Sequence, residues 1–164
     1  MGSSYGGYAA IWGAMRSPQR YRCAISLAGP TDLRRMLSYD VRFMIARRYA
    51  GEWRRRVQGE ERSDLDAISP AEHPEMLRVP LLLAHGEQDM TVPVDQSRRL
   101  LRALQRRGAN VESVFYRKAG HGFNDAEEQA DYMRRVEAFL ARNNPADAQP
   151  EAASPPAPAD GEGS

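Results

Sequence analysis

Gly2-Ser3-Ser4-Tyr5-Gly6-Gly7 is the stretch on which the reading of this chain turns. A G-x-S-x-G sequence lets a chain pass sharply from a strand into a helix, because glycines two before and two after the serine leave room for a crowded bend. Such a bend exposes the serine hydroxyl, here that of Ser4. A serine hydroxyl is a weak nucleophile at neutral pH. It needs an imidazole to take its proton and a carboxylate to hold that imidazole in the right tautomer. Asp89 and His121 follow in that order, each just past an expected strand, and with Ser4 they make a candidate catalytic triad.

Working outward, Tyr8, Ala9, Ala10, Ile11, Trp12 and Ala14 suit a helix from Tyr5 to about Arg16 that can approach a sheet closely. Two short apolar runs, Cys23–Ala28 and Val79–His85, read as parallel strands covered on both faces. The second runs into Gly86-Glu87-Gln88-Asp89, which puts Asp89 at a strand's carboxyl end, the edge where functional groups gather in open α/β sheets. Asp32 reads as a helix cap. Ser69-Pro70-Ala71-Glu72 has a capping serine, a first-turn proline and a reciprocal glutamate, and predicts a short helix ending before Arg78. Leu100, Leu101 and Leu104 share one stripe of a helix over roughly 94–107, and Val111 to Tyr116 alternates as an edge-type strand would.

After the Gly120-His121-Gly122 loop, Asn124 with Glu127 resembles a capping box, and Ala126, Ala130, Met133, Val136 and Leu140 return at helical spacing to about Arg142. The stretch from Met36 to Gly59 shows no strand pattern and suggests short helices or an insertion. Residues 144–164 are Pro, Ala, Ser, Gly and acidic types without apolar periodicity. They read as a disordered tail on a single domain of residues 1–143. The resulting class is α/β, a mostly parallel sheet covered by helices.

Composition narrows the function. A chain of 164 residues with 41% apolar content holds one core, and 23 basic against 22 acidic residues give no field favouring nucleic acid or an anionic membrane. Arg54-Arg55-Arg56 and Arg98-Arg99, with acidic neighbours, read as solvated surface. Cys23 is the only cysteine, which excludes an internal disulfide and leaves a small packing hydrophobe. No run of about 18 to 20 apolar residues is present, and the start lacks a basic region followed by an apolar one, so neither a membrane span nor an export signal is expected within this chain. The compartment stays open between the cytoplasm and, through an upstream region, the periplasm or exterior. The three histidines lack the short helical spacing of a metalloprotease, and no metal or cofactor is expected.

The elbow Gly2–Tyr8, the turn Arg22–Asp32, His85-Gly86-Glu87-Gln88-Asp89 with Val92-Pro93, and Gly120-His121-Gly122-Phe123 together resemble the catalytic domain of the prolyl oligopeptidase family of serine peptidases. The similarity is to its dipeptidyl-peptidase and acylaminoacyl-peptidase branches and runs from residue 2 to about 142. The resemblance implies an α/β-hydrolase fold and hydrolysis of peptide bonds in oligopeptides through an acyl-enzyme. It also implies an oxyanion donor at the Tyr5 backbone N–H, and assigns His85 a structural part. His73 has no partner in view.

The resemblance further implies strands before the elbow, a second oxyanion donor and a β-propeller, all upstream of Met1, so this looks like a carboxyl-terminal portion of a longer enzyme. It implies a substrate pocket around 38–49 with Val41, Ile45 and Tyr49. Val41 and Ile45 stand where the proline-selective branch has two tyrosines, so the resemblance does not extend to that selectivity. Two rival readings stay open: an esterase of the same fold, and a non-catalytic fragment.

Overall fold

Runs of Leu, Ile and Val too short for helices, each followed by a helical segment, leave the strands little choice but to lie parallel. In the computed structural model, which describes residues 1–43 and 64–146, Gly2–Ser3 (β1), Ala24–Leu27 (β2), Leu81–Gly86 (β3) and Val111–Tyr116 (β4) form one parallel sheet in that order. Helices Tyr5–Arg16 (α1), Leu33–Phe43 (α2), Asp95–Arg106 (α3) and Ala126–Asn143 (α4) follow the strands in turn. Register sets Ser3 opposite Leu27, Leu27 opposite Ala84, and Gly86 opposite Tyr116. The carboxyl ends of all four strands therefore stand along one edge. Contrary to the expectation that the strands before the elbow all lie upstream of Met1, Gly2 and Ser3 themselves serve as a two-residue strand paired with β2, so the bend into α1 starts from the sheet.

Alternation along β3 divides the core into two layers. Leu81 and Leu83 pack with Ile11 and Met15 of α1 and with Leu100 and Leu104 of α3. Leu82 and Ala84 point the other way, onto Tyr132, Val136 and Phe139 of α4. Every residue of β3 is buried, which matches an uninterrupted apolar run with helices on both faces. Cys23 packs half-buried at the edge of the α4 layer, where burial pushes its thiol pKa up.

Three expectations need correction. No α-helix opens at Ser69: the segment makes two 3-10 turns, Pro70–Glu72 and Pro74–Met76. Pro74 is the cause, because a residue before proline is driven out of the helical region, and His73 sits at φ −125° and ψ 49°. Ser69 Oγ instead accepts from Leu33 N–H at 2.8 Å and donates to the Leu65 carbonyl at 2.7 Å. The cap of α4 is Asp125, not Asn124; its carboxylate accepts from the N–H groups of Glu127 and Glu128. Met133 is not on the buried stripe, being 57% exposed, whereas Tyr132 and Phe139 are. The expected insertion is α2 as far as Phe43, and its remainder, like the tail from residue 147 on, lies outside the described residues.

Phe139 is fully buried against β3, so Phe139→Ala is expected to lower unfolding free energy by about 3–5 kcal/mol. Met133→Ala should stay within about 0.5 kcal/mol. Urea melts of both variants check the phase of α4.

Candidate active site

The first element of the site is a strained turn. Ser4 carries φ 55° and ψ −125°, a conformation that L-residues adopt only when their surroundings enforce it. Enforcement comes from both sides: Ser4 N–H donates to the Leu27 carbonyl at 2.9 Å, and the Ser4 carbonyl accepts from Gly7 N–H at 2.9 Å and Tyr8 N–H at 3.2 Å. Gly2 is needed because a Cβ there would run into the Gly6 carbonyl. Gly6, the other expected glycine, has open space around a Cβ position. The tight residue on that side is Gly7, whose Cβ would lie 2.7 Å from Ser26 Oγ and 3.0 Å from Gly29 Cα, where the helix meets the end of β2.

The second element is the loop after β3, which leans on the loop after β4. Glu87 N–H donates to the Tyr116 carbonyl at 2.8 Å, Gln88 N–H to the Ala119 carbonyl at 3.0 Å, and the Gln88 side-chain amide to the Arg117 carbonyl at 2.8 Å. Approach is closest at Gly86, where a Cβ would collide with the carbonyls of Ala119 and Gly120. The loop after β4 is anchored in turn to α4. Lys118 N–H donates to Glu128 at 3.1 Å, Lys118 Nζ to Asp125 at 2.8 Å, and the Tyr116 hydroxyl to Asp131 at 2.9 Å. Burial, then the bond to Asp131, pushes the Tyr116 pKa far up.

These turns bring the three side chains singled out from the sequence to one point. His121 Nε2 lies 2.9 Å from Ser4 Oγ, and His121 Nδ1 lies 2.8 Å from Asp89 Oδ2. Asp89 Oδ1 accepts from the N–H groups of Thr91 and Val92, both at 2.8 Å. The Asp89 side chain is wholly shielded from solvent while that of His121 is 31% exposed. Tyr5 N–H is the first donor of α1, a position with no acceptor inside the helix. Its ring is exposed and tilts against Tyr8 at 5.7 Å between centroids.

His85, expected to be structural, is fully buried between Ser97 Oγ at 2.7 Å from Nδ1 and the Val92 carbonyl at 2.8 Å from Nε2. His73 does have partners, contrary to expectation: Nε2 bonds the Asp66 carbonyl at 3.0 Å, and its ring lies 6.1 Å from that of Trp12. Of the expected pocket residues, Val41 falls in the last turn of α2, and Ile45 and Tyr49 lie outside the described residues.

Several positioning residues escaped the sequence reading. The Tyr39 hydroxyl on α2 donates to the Met90 carbonyl at 2.7 Å, tying that helix to the aspartate loop. Gln96 Oε1 accepts from the N–H groups of Thr31 at 2.8 Å and Asp32 at 2.7 Å; Asp32 itself caps α2 through Arg35 N–H, as its sequence position led us to expect, and also pairs with Arg99 at 3.0 Å. Gln96 and Ser97, adjacent polar residues in the first turn of α3, carried the one available signal. They interrupt a surface of arginines yet lie on the covered side.

The sequence model of the prolyl oligopeptidase family matches residues 1–145. The chain belongs to that family. Dipeptidyl aminopeptidase BIII of Pseudoxanthomonas mexicana is 29% identical over 147 residues, 87% of this chain and 21% of that protein. The acylamino-acid-releasing enzyme of Homo sapiens is 25% identical over 149 residues, 83% of this chain and 19% of the human protein. A solved Mycobacterium tuberculosis puromycin-hydrolyzing peptidase superposes with a TM-score of 0.72 at 26% identity, over 87% of this chain and 21% of its own. The chain thus spans about a fifth of the length of these relatives. Its fold is the α/β-hydrolase fold, as in solved acylaminoacyl peptidases.

Gly86→Ala is expected to push the aspartate and histidine loops apart and to slow fluorophosphonate labelling of the folded fraction by about tenfold to a hundredfold. A second expectation concerns pH. Burial holds the His85 pKa below its ordinary value, so below about pH 6.5 the unfolded chain binds a proton that the folded chain refuses. Stability should therefore be full above about pH 6.5 and fall as the solution is acidified. His85→Gln should flatten the melting temperature between about pH 6.5 and 4, above the range where the salt-bridged Asp66 and Asp125 are protonated.

Proposed function

We propose that this chain carries the nucleophile, base and orienting carboxylate of a serine peptidase that cleaves peptide bonds in oligopeptides. The observation that carries the reading is the unbroken relay from Ser4 Oγ through His121 to Asp89, with links of 2.9 and 2.8 Å. Family membership supports the same class, since the Pseudoxanthomonas mexicana relative and the Mycobacterium tuberculosis structure are peptidases by name.

In the proposed reaction Ser4 Oγ attacks the scissile carbonyl carbon while His121 Nε2 takes the hydroxyl proton. Asp89 keeps the Nδ1 proton in place and stabilises the imidazolium without itself becoming protonated. The carbonyl oxygen becomes an oxyanion facing the Tyr5 N–H, at the positive end of the α1 dipole. Collapse breaks the C–N bond, His121 passes its proton to the leaving amine, and an acyl-Ser4 ester remains. Water, deprotonated by His121, then hydrolyses that ester and restores the serine. The segment with Val41, Ile45 and Tyr49 would supply the pocket beside the scissile bond, and substrate gating by an upstream propeller belongs to the same proposal.

Ser4→Ala is expected to abolish fluorophosphonate labelling and to reduce peptide turnover by at least about a thousandfold. Undiminished labelling of the variant would show that the reactive group lies elsewhere. Amide and ester substrates with the same acyl group, compared side by side, separate a peptidase from an esterase.

A further inference from the structure

Asp89 Oδ2 faces two imidazoles. His121 Nδ1 is 2.8 Å away, and His85 Nε2 is 3.4 Å away from the same oxygen. The same His85 Nε2 stands 2.8 Å from the Val92 carbonyl, and its Nδ1 stands 2.7 Å from Ser97 Oγ. Both groups in front of Nε2, a peptide carbonyl and a carboxylate, are acceptors with no proton to give. Nε2 must therefore bear the hydrogen, which leaves Nδ1 to accept from the Ser97 hydroxyl. The other tautomer would aim a lone pair at two oxygens at once.

We propose that His85, fixed as the Nε2–H tautomer by Ser97, is a positioning residue that holds the Asp89 loop and carboxylate in the orientation His121 requires. The proposal rests on the peptidase reading above. Val92 is the principal acceptor of the His85 N–H, and Asp89 Oδ2 takes the longer branch. The bond to Val92 matters as much as the branch to Asp89, because Val92 N–H is one of the two backbone donors to Asp89 Oδ1. His85 thus grips the carboxylate directly and also through the peptide that holds its other oxygen. Around Asp89 the result is three close N–H donors, Thr91 and Val92 on Oδ1 and His121 on Oδ2, with the His85 N–H as a longer fourth approach to Oδ2 at 3.4 Å. A carboxylate so surrounded is held in one plane.

The location in the fold explains why a histidine can do this. His85 follows Leu81 and Leu83 on the face of β3 that α3 covers, which sets it against Ser97 in the first turn of that helix. The titratable groups that act on it are Asp89 on its own loop and His121 on the neighbouring one, while Ser97 and the Val92 carbonyl are uncharged. Burial disfavours a second proton on the ring, consistent with a neutral donor.

Two variants separate positioning from packing. His85→Gln keeps an N–H that can reach Val92 and Asp89, and His85→Met fills the space without a donor. Peptide turnover of the folded fraction is measured across pH for wild type, both variants and Ser4→Ala. His85→Met is expected to lower kcat by about tenfold to a hundredfold with KM within twofold and to displace the acid limb of kcat/KM, and His85→Gln to recover most of the loss.

Wild-type kcat and an unmoved acid limb in His85→Met, whatever its melting temperature, would overturn the positioning role and leave the peptidase reading intact. Full activity in Ser4→Ala would overturn that reading, and this role with it. The tautomer is checked independently of activity by long-range 15N imidazole correlations on the wild-type protein at neutral pH. A neutral ring protonated at Nε2 is expected; a proton at Nδ1 alone would overturn the assignment even if His85→Met failed to fold.

Discussion

The hydrogen bond from Ser4 N–H to the Leu27 carbonyl is the constraint on which the site depends. It joins the end of β1 to the end of β2 at the residue where the chain reverses into α1, and it holds Ser4 at a positive φ that the residue would not choose alone. Strain of this kind, about 1–3 kcal/mol, survives only when the surroundings over-determine it. Here they do, through the Gly7 and Tyr8 amides on the Ser4 carbonyl and the close seating of Gly7 on Gly29. Relaxing the turn would swing the hydroxyl away from His121.

A second layer of constraint is polar and runs between loops. The aspartate loop is tied to the histidine loop by backbone bonds at Glu87 and Gln88, to α2 by Tyr39 and to α3 by His85 and Ser97. The buried Thr31–Gln96–Asp32 cluster locks the turn after β2 to the start of α3 in the same manner. The surrounding arginines, such as Arg142 with Glu112 and Arg34 with Asp66, make exposed pairs that contribute little to stability. Precision at the site therefore rests on buried polar bonds and not on surface charge.

How far this could be read from the letters varies by element. Runs such as Leu81–Ala84 have no polar interruption, so strand, burial and parallel direction all follow from one observation. The elbow was legible for the same reason, a short pattern with one mechanical meaning. The three side chains of the relay were legible as candidates by their order, but their meeting depends on a register among β2, β3 and β4 that no local pattern encodes.

Where reading failed, competing local signals were nearly equal. Asn124 and Asp125 are both good caps, and the choice falls to whichever residue the preceding loop delivers to the helix start. Met133 fits helical spacing as well as Tyr132 does, and the phase of α4 is decided by which ring fits beside Tyr116 and Phe123. Gly6 and Gly7 differ only in which one faces β2.

The difference in exposure between His121 and Asp89 has a directional consequence. In the proposed relay the carboxylate end is sealed in protein and the imidazole end opens outward, so a hydrogen ion lifted from Ser4 has no inward exit. Whatever lies over the open side of the ring receives it: an amine as it departs in the first half of the cycle. In the second half the traffic reverses, with water entering from that same side. One doorway, used in both directions, would make the order of departure and entry a matter of simple occupancy.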